Sequence, residues 1–484
     1  MTEIELKFQV PAGRVAALGR AVGTASARRV SLRARYFDTE DRRLAAARLA
    51  LRVRKEGRRW VQTLKGAGDG LWQRLEHEVP LQVAPGTLPS ADPSLHDGTP
   101  AGDALRRALG DDGVLQAIYG TEVTRTQRLL RAQGCVVELA FDRGALVAGD
   151  QRWPLCELEM ELKGGDAAAL AALAGRWVTR FDLTLDTRTK AERGERLARG
   201  QRLGPPVKAQ PLVLAAGVDC ETALRAVLGN GLQQVLGNAC DLAHEADTEP
   251  EHLHQLRVGL RRLRTALREL GPLASCPSQA WGAQLEALFG RLGSARDRDA
   301  LAQTLLPALR KAGADGLQLP VIEPEPAARV ALREPATTLL WLQLMAFAAG
   351  SAVSQQAFAL EVRRILARLF KQVRRDAARF DALDDVARHR LRKRGKRLRY
   401  LSEFAGSLFS DRPLRAFLKR LVPAQEALGD FNDVCVARAL FKDAADDDPL
   451  AMFALGWLAH ERDDAIRRCV KTLARLRGAK PFWD

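Results

Sequence analysis

The sequence predicts an α+β domain rich in antiparallel strands, followed by an all-helical domain. Through about residue 163, segments of alternating polar and apolar residues are separated by clusters of Gly, Asp and Pro, a pattern typical of strands and turns. Beyond residue 211 the apolar residues recur at helical spacing, in long segments broken at 271–272 and 320–335. At 484 residues the chain is also too long for one ordinary core.

Six segments carry the strand pattern, and their polar positions are charged. Glu3, Glu5 and Lys7, for example, alternate with apolar residues, so the three charged side chains share one strand face. A solvated sheet face gives the same alternation, but these faces hold almost only Glu, Arg and Lys, with little Thr or Ser. The segments are 3–8, 51–55, 60–65, 74–79, 136–142 and 156–163.

A barrel with the charged face inward is one way to accommodate this pattern. Its charges must then be paired or bind ions, because isolated buried charges are too costly. Basic side chains bind phosphate oxygens, and carboxylates bind Mg²⁺ or Mn²⁺, so the mixture suits a metal-bound phosphate chain. Helical segments, including the one predicted at 167–180, would cover the apolar face.

The two regions are joined by a proline-rich segment. Leu203 is followed by Gly-Pro-Pro-Val-Lys-Ala-Gln and then Pro211, a stretch through which a helix cannot continue. We therefore predict a first domain at 1–202, a linker at 203–215 and a helical domain at 216–480.

The helical region repeats itself. A motif that begins at His254 returns at His389, 135 residues later, and a Leu-Gly-x-x-x-Asp motif that ends at Asp297 returns at Asp433, 136 residues later. The nearly constant offset predicts two helical bundles of similar shape. The predicted repeats span about 216–345 and 350–480.

Each repeat carries a basic stripe at helical spacing. Like charges at this spacing repel one another and weaken an isolated helix unless anions neutralise them. Acids on a neighbouring helix could do so, and the two Leu-Gly-x-x-x-Asp motifs either supply those acids or cap helices. One histidine per repeat among arginines is a poor metal-ligand set. The residues, at offsets of 0, 3, 7 and 10, are His254, Arg257, Arg261 and Arg264, then His389, Arg392, Lys396 and Arg399.

Composition limits the possible partners and compartments. A net charge of +16 indicates a polyanionic partner: nucleic acid, an anionic membrane or a phosphate polymer. The longest apolar run, 339–349, contains Gln343 and is too short to span a bilayer. Seven scattered cysteines without C-x-x-C spacing, and no signal peptide, predict a cytoplasmic protein with reduced thiols. Without a G-x-x-x-x-G-K-[ST] loop, a P-loop NTPase is disfavoured.

The strand motifs resemble the CYTH, or triphosphate tunnel metalloenzyme, family. Glu3-Ile-Glu5-Leu-Lys7 matches the E-x-E-x-K motif of that family, and further motifs follow in the family's order over residues 1 to about 200. The resemblance implies an eight-stranded antiparallel tunnel that binds Mg²⁺ or Mn²⁺. The further motifs are Tyr36-Phe-Asp-Thr39, Leu51-Arg-Val-Arg54, Thr63-Leu-Lys65, Arg74-Leu-Glu-His-Glu78, Val137-Glu-Leu-Ala-Phe-Asp-Arg-Gly144, Glu157-Leu-Glu-Met-Glu161 and Thr189-Lys-Ala-Glu-Arg-Gly194.

The same resemblance implies roles, position by position, and leaves open which acid serves which metal. The implied catalytic residues are Glu3, Glu5, Lys7, Glu76 and Glu78. The implied phosphate-binding residues are Lys7, Arg52, Arg54, Lys65, Arg74, Arg125 and Lys190. The implied metal ligands are Glu3, Glu5, Asp142, Glu159 and Glu161.

The helical half resembles the CHAD domain, a helical domain often fused behind CYTH. The resemblance covers about residues 216–480 and implies two bundles whose basic surface binds inorganic polyphosphate through the eight stripe residues. Several phosphate contacts would make that binding strongly salt-dependent.

We therefore expect metal-dependent hydrolysis of inorganic triphosphate to pyrophosphate and phosphate, with an accessory polyphosphate-binding module and association with polyphosphate granules. One alternative is a non-catalytic polyphosphate-binding granule protein, although the complete set of strand motifs argues against a decayed tunnel. Another is activity on an organic triphosphate such as thiamine triphosphate or ATP, including cyclic AMP synthesis; only 6% of residues are aromatic, which weakly disfavours a base pocket. Nucleic acid is disfavoured by the acid-rich first domain, and no membrane partner is expected.

Overall fold

The structure is a computed structural model of the 484-residue chain. It describes residues 2–67, 73–84, 86–245, 249–275, 278–293, 305–319, 328–351, 354–442, 445–446 and 448–484. The chain divides into two compact units, each built from separate stretches of sequence. The first comprises Met1–Val207, Val235–His252 and Ala328–Gly350; the second comprises Lys208–Gln234, Leu253–Ala327 and Ser351–Asp484. The domain limits predicted from the sequence remain predictions.

An antiparallel sheet dominates the first unit. In the described residues its strands are β1 (Thr2–Gln9), β2 (Arg28–Asp38), β3 (Ala50–Glu56), β4 (Arg59–Ala67), β5 (Gln73–Leu81), β6 (Gln116–Ala132), β7 (Cys135–Ala148), β8 (Gln151–Gly164) and β9 (Thr184–Leu185). Their order is β5-β4-β3-β2-β6-β7-β8-β1-β9, and β1 also pairs with β5.

Strand β1 closes this sheet into a barrel. Its first residues, from Thr2 to Ile4, pair with β5, whereas Glu5 to Gln9 pair with β8. Strands β1 to β8 therefore form a closed antiparallel barrel, and the two-residue β9 adds to the edge of β1. The predicted α+β fold with an eight-stranded tunnel is confirmed.

Register places the charged residues on the inner face of the barrel. Residues directly opposite each other in antiparallel strands point to the same side of a sheet. Arg125 lies opposite Asp142, which in turn lies opposite Glu157, so these three side chains share one face. Lys65 lies opposite Glu76 in the same way. In β1, β3, β7 and β8 the alternate residues form an apolar outer face, whereas in β2 the outward residues include exposed arginines.

Helices cover that outer face. Leu51 and Leu64, which alternate with inward-facing residues, are fully buried against α3. The predicted helix at 167–180 is α4, and α10 packs against it. The helices of this unit are α1 (Val15–Val22), α2 (Arg43–Ala46), α3 (Pro100–Leu109), α4 (Ala167–Phe181), α5 (Lys190–Ala198), the later part of α6 (Cys220–His244), α9 (Ala328–Arg333) and α10 (Pro335–Ala349).

The second unit is helical, as the sequence predicts. Its helices are the first part of α6, then α7 (Pro250–Glu269) from Leu253 onward, α8 (Ser278–Arg291), α11 (Phe358–Ala377), α12 (Asp385–Ala405), α13 (Asp411–Lys442) and α14 (Pro449–Arg477). Helices α13 and α14 pack along each other around Phe441 and Leu458. Near the chain end, Phe370, Phe417 and Trp483 pack edge to face. Among the described helices, none combines the length and apolarity needed to cross a bilayer.

Candidate active site

One wall of the barrel interior is rich in cations. Arg52 and Arg54 project from β3, and Lys65 projects from β4. The Lys65 ammonium lies 3.0 Å from Glu76 on β5, and a guanidinium nitrogen of Arg52 lies 4.0 Å from the same carboxylate. Arg54 lies 3.7 Å from Glu78. These cations therefore face acids at contact distance or slightly beyond it.

Arg125 on β6 is the central cation of the opposite wall. Its Nε and Nη2 each donate to Asp142 at 2.7 Å, a bidentate geometry that fixes the guanidinium plane. The same Nη2 lies 2.5 Å from Glu159. Asp142 is fully buried. Arg125 therefore holds two acids from adjacent strands in fixed positions.

Lys190 enters the same cluster from the first turn of α5. Its ammonium lies 2.8 Å from Asp142 and 2.5 Å from both Glu157 and Glu159. A capping box formed by Thr189 and Glu192 fixes the start of this helix. Helix capping, rather than strand register, therefore delivers this lysine to the barrel.

The absence of a side chain at Gly194 lets α5 lie close to the sheet. A Cβ atom at this position would lie 2.3 Å from the ring of Tyr119 on β6. Tyr119 in turn stacks on Tyr36 of β2, with ring centroids 4.8 Å apart. A glycine at this point of α5 is therefore a steric requirement for the position of the helix that carries Lys190.

Glu5 on β1 interacts with Glu159, and the negative charge of Glu159 is the better compensated of the two. Burial and the charge of Glu159 raise the pKa of Glu5, against the opposing effect of Lys65, Lys7 and Lys190. Burial also opposes ionisation of Glu159, but Lys190 and Arg125 outweigh it and hold the pKa of that carboxyl well below its ordinary value. The pair thus contains one firmly ionised carboxylate and one that gains from a further cation.

Arg54 on β3 has the opposite deficit. Burial and the like charge of Arg52 lower the pKa of Arg54, and Arg125 adds to the repulsion. The Nε atoms of Arg52 and Arg54 are buried and have no hydrogen-bond partner among the described residues. A buried donor without an acceptor is costly, so this wall is suited to an anion with several oxygens.

The acids of the interior fit a divalent metal by their chemistry. Carboxylate oxygens of Asp142, Glu157 and Glu159 lie within 4.8 Å of one another, and oxygen donors suit Mg²⁺ or Mn²⁺. These three acids already contact Arg125, Lys190 and Arg193. Glu5 is the neighbouring acid whose raised pKa indicates that its negative charge is not fully compensated. The interior therefore supplies oxygen donors of the kind that a hard cation prefers.

The structure brings most of the predicted tunnel residues into one interior. Lys7 is buried, and its ammonium donates to the backbone carbonyl of Arg188. Glu161 pairs with Lys163, whose side chain is 41% exposed, so this acid lies toward solvent. The side chains of Glu3 and Arg74 lie outside the described residues, although their backbones pair with each other. The roles predicted for all of these residues remain predictions.

Sequence reasoning assigned no role to two residues of the cluster. Glu157 is fully buried and contacts both Lys190 and Arg193 of α5. Glu157 lies two positions before Glu159 on the same strand face, which is the signal that identifies it. Arg193 lies one helical turn after Lys190, which would place it on the same face of α5.

In the second unit, the two basic stripes lie on α7 and α12, and their central residues come together. The ammonium of Lys396 on α12 is repelled by the charges of Arg257 and Arg261 on α7 and of Arg392 on its own helix. Burial and these like charges lower the pKa of Lys396 to about 6, against the opposing effect of Asp433. We call these four basic residues, Arg257, Arg261, Arg392 and Lys396, the helical basic cluster.

The outer members of the stripes have local partners. Arg264 pairs with Glu286 of α8, and Arg399 pairs with Glu403 one turn later on α12 at 2.8 Å. His389 lies 3.2 Å from the side-chain oxygen of Asn432 on α13. His254 also has an interaction partner.

The Leu-Gly-x-x-x-Asp motif that ends at Asp433 lies within α13, so it does not cap a helix. Asp433 instead supplies an acid near Lys396. Asp297 lies outside the described residues.

Comparison with known families agrees with both regions. The CYTH domain family matches residues 1–194, and the CHAD domain family matches residues 226–442. The chain joins a CYTH domain to a CHAD domain.

A curated relative matches part of the chain. An inorganic triphosphatase from Haemophilus influenzae is 31% identical over 175 residues, which cover 35% of this chain and 46% of that protein. The chain thus spans about half the length of this curated relative.

Solved structures resemble each domain. A crystal structure of the CHAD domain from the plant Ricinus communis is 33% identical, with a TM-score of 0.48, and covers 57% of this chain and 98% of that one. HpAC1 from Hippeastrum, a putative adenylyl cyclase described as having a dominant triphosphatase activity, is 19% identical with a TM-score of 0.31, and the match covers 42% of this chain and 98% of that one.

Proposed function

We propose that the CYTH domain hydrolyses inorganic triphosphate in its barrel with the help of a divalent cation, releasing pyrophosphate and phosphate. The observation that carries the proposal is the pair of largely buried arginines, Arg52 and Arg54, whose Nε atoms lack hydrogen-bond acceptors among the described residues although Glu76 and Glu78 lie on the same wall. A linear anion with an oxygen-rich surface supplies those acceptors. The likeness to the inorganic triphosphatase of Haemophilus influenzae supports the same reaction.

The basic residues of the interior would bind and orient the substrate. Arg52, Arg54 and Lys65 line one wall, and Arg125 and Lys190 face them from β6 and α5. Their charges are fixed in place by carboxylates, so they need little rearrangement as negative charge grows on the phosphate oxygens. We assign Lys7, which the barrel buries, to the same phosphate-binding set, together with the predicted Arg74.

The acids would hold the metal and the attacking water. Bound at Glu5 and Glu159, with Glu3, Asp142 and Glu161 as further predicted ligands, Mg²⁺ or Mn²⁺ would neutralise phosphate charge and lower the pKa of a bound water. Glu78 accepts a hydrogen bond from Thr63 at 3.3 Å and is well exposed, so its carboxylate is available to orient a water. Glu76 holds Lys65 in place.

For the CHAD domain we propose binding of inorganic polyphosphate by the helical basic cluster and the stripe residues around it. Four basic side chains that come together from two helices form a surface suited to a polyanion. We propose that this cluster holds the polymer.

The test is phosphate release from four substrates: tripolyphosphate, ATP, thiamine triphosphate and long-chain polyphosphate, each with Mg²⁺, Mn²⁺ or a chelator. We expect tripolyphosphate to be the best substrate and the chelator to abolish turnover. A wide preference for ATP or thiamine triphosphate would instead support the organic-triphosphate alternative. Polyphosphate binding without any turnover would support a non-catalytic granule protein.

Glu5→Gln is the diagnostic variant, because it removes the charge of the acid whose pKa the site raises. We expect this variant to abolish tripolyphosphate turnover. The matched control is Glu122→Gln, since Glu122 is half-exposed on β6 and pairs with Arg152 at 2.9 Å. Equal activity of the two variants would remove Glu5 from the mechanism.

A further inference from the structure

Lys190, one of the proposed phosphate ligands, lies at the end of a short connecting segment. Residues 186–190 connect β9 to α5, and Lys190 is the first residue of that helix. The backbone N–H of Asp186 donates to the carbonyl of Lys7 at 2.9 Å, and the ammonium of Lys7 donates to the carbonyl of Arg188. The position of this segment therefore affects both lysines.

The segment is held together by an internal ion pair. The Asp186 carboxylate accepts from the backbone N–H of Arg188 at 2.9 Å and from its Nε and Nη2 at 3.0 Å each. Gln9 of β1 donates to the same carboxylate at 2.9 Å. Asp186 is fully buried and Arg188 is nearly so. Removing either charged partner would therefore reduce the compensation of a buried charge.

Helix α6 supplies the other half of this network. The Nη1 of Arg188 donates to Asp241 at 3.1 Å and to Glu245 at 2.9 Å. Asp241 is 1% exposed and also accepts from Arg196 of α5 at 2.6 Å. Asp241 lies within the sequence that matches the CHAD family, yet it belongs to the same compact unit as the barrel.

The neighbouring side chain on α6 reinforces the contact. The Sγ of Cys240 lies 3.4 Å from both the backbone nitrogen and the hydroxyl of Thr187. Successive residues 186, 187 and 188 are thus bonded to β1 or to α6. The 186–190 segment lies between barrel and helix, and its geometry depends on both.

We propose that Asp241, a residue of the CHAD-family sequence, is a positioning residue for triphosphate binding in the CYTH barrel. It acts through Arg188, which fixes the 186–190 segment and thereby the ammonium group of Lys190. The inference rests on the proposed function, since it requires that Lys190 contact phosphate. It also means that α6 is part of the catalytic unit.

Asp241→Asn is the primary test, made in the full-length chain. The change replaces a carboxylate with an amide that has one acceptor fewer and no charge. The ion pair between Arg188 and residue 241 is therefore lost. Displacements of about 1 Å in a reacting constellation can lower rates by about a hundredfold. We expect kcat/KM for tripolyphosphate to fall at least about tenfold, with a rise in KM as Lys190 moves from its place.

A double-mutant cycle separates positioning from loss of folded protein. If Asp241 acts through Lys190, Asp241→Asn has less than about a twofold effect once Lys190→Ala is already present. A purely structural loss would lower activity by the same factor in both backgrounds, and that result would overturn the proposal. The stoichiometry of tripolyphosphate binding, measured by titration calorimetry, gives the active fraction of each variant.

Glu245→Gln provides a second, milder variant, because Glu245 contacts the same nitrogen of Arg188 and is partly exposed. We expect it to show the same dependence on Lys190 with a smaller effect. Glu122→Gln, on the barrel exterior, should change neither parameter. If the wild-type chain binds and hydrolyses tripolyphosphate but the cycle is additive, only this inference fails. If the wild-type chain neither binds nor hydrolyses tripolyphosphate, the proposed function fails with it.

Discussion

The barrel interior and the helical basic cluster both contain arginine and lysine side chains, but the charges around those side chains differ. In the barrel, Arg125 and Lys190 each contact several carboxylates at 2.5 to 2.8 Å. In the helical basic cluster, Lys396 meets three arginines and one acid, and the pKa of its ammonium falls to about 6 through burial and repulsion.

This difference separates two kinds of anion site. Cations held by buried acids keep their positions without a ligand, and the acids also provide oxygen donors for a metal, so such a site can support a reaction. Cations that repel one another gain mainly when an anion arrives, which favours binding alone. The barrel is therefore suited to catalysis and the helical cluster to retention of a polymer.

Among the variants that test this comparison, Glu159→Gln should have the largest effect. Glu159 contacts Arg125 and Lys190 and lies beside Glu5, so its loss disturbs both the cations and the proposed metal site. Tripolyphosphate turnover should fall by about a hundredfold to a thousandfold, the range seen when one charge-stabilising group is removed. Initial-rate assays beside Glu122→Gln measure it. Activity within a few-fold of the control would mean that Glu159 and its ion pairs do not contribute to turnover.

Arg52→Gln and Arg54→Gln test the cationic wall, with a smaller effect. Each variant removes charge-assisted hydrogen bonds to phosphate, and such bonds contribute about 1.5–3 kcal/mol, or roughly a tenfold to hundredfold change in kcat/KM. Arg33→Gln is the matched control, because Arg33 is exposed on the outer face of β2. Equal losses in all three variants would show that net charge, and not the inward position, matters.

Arg392→Glu combined with Lys396→Glu addresses the helical basic cluster. Long-chain polyphosphate affinity should fall at least about tenfold and become less salt-dependent, because phosphate contacts are lost. Tripolyphosphate turnover should remain. Lys371→Glu with Lys419→Glu is the control, since it makes a similar charge change at exposed positions of α11 and α13. Polyphosphate retention that is unchanged in the cluster variant, or equally reduced in the control, would contradict the assignment.

The smallest effect is a pH dependence of polyphosphate binding. Lys396 is flanked by Arg257 and Arg261 of α7, Arg392 of α12 and Asp433 of α13, with His389 farther along α12. With a pKa of about 6 it is largely neutral at pH 8 in the free protein, and a polyanion raises that pKa, so binding takes up a proton.

Affinity should therefore strengthen as pH falls from 8 toward 6, by at most about tenfold per pH unit, and level off below 6. Titration calorimetry in buffers of different ionisation enthalpy measures the proton uptake. Lys396→Arg keeps the charge at every pH and should flatten the profile. A profile that stays as steep in this variant would assign the proton to another group.

Much of the fold followed from residue periodicity. Alternation of charged and apolar residues in 51–55, 60–65 and 156–163 predicted strands with a charged face, and the structure has strands there. The long β6 was harder to recognise, because polar residues such as Thr124 and Arg125 occupy both faces of the strand. Closure of the barrel depends on β1 pairing with two strands distant in sequence, which no local pattern encodes.

The site was predictable in its residue types but not in its contacts. Lys190 reaches the acids from a helix start, so strand periodicity gave it little weight. The network of Arg188 and Asp241 joins residues 53 positions apart, and it depends on tertiary packing that brings α6 against the 186–190 segment. Pairing of buried charges is decided by that packing, not by spacing along the chain.

The most direct test of the central claim is a crystal structure with tripolyphosphate and Mn²⁺, using anomalous scattering to locate the metal. We expect a linear triphosphate inside the barrel, contacted by Arg52, Arg54 and Lys190, with the anomalous peak beside Glu5 and Glu159. Triphosphate density and a manganese peak on the barrel exterior, with the interior lacking both, would contradict the account.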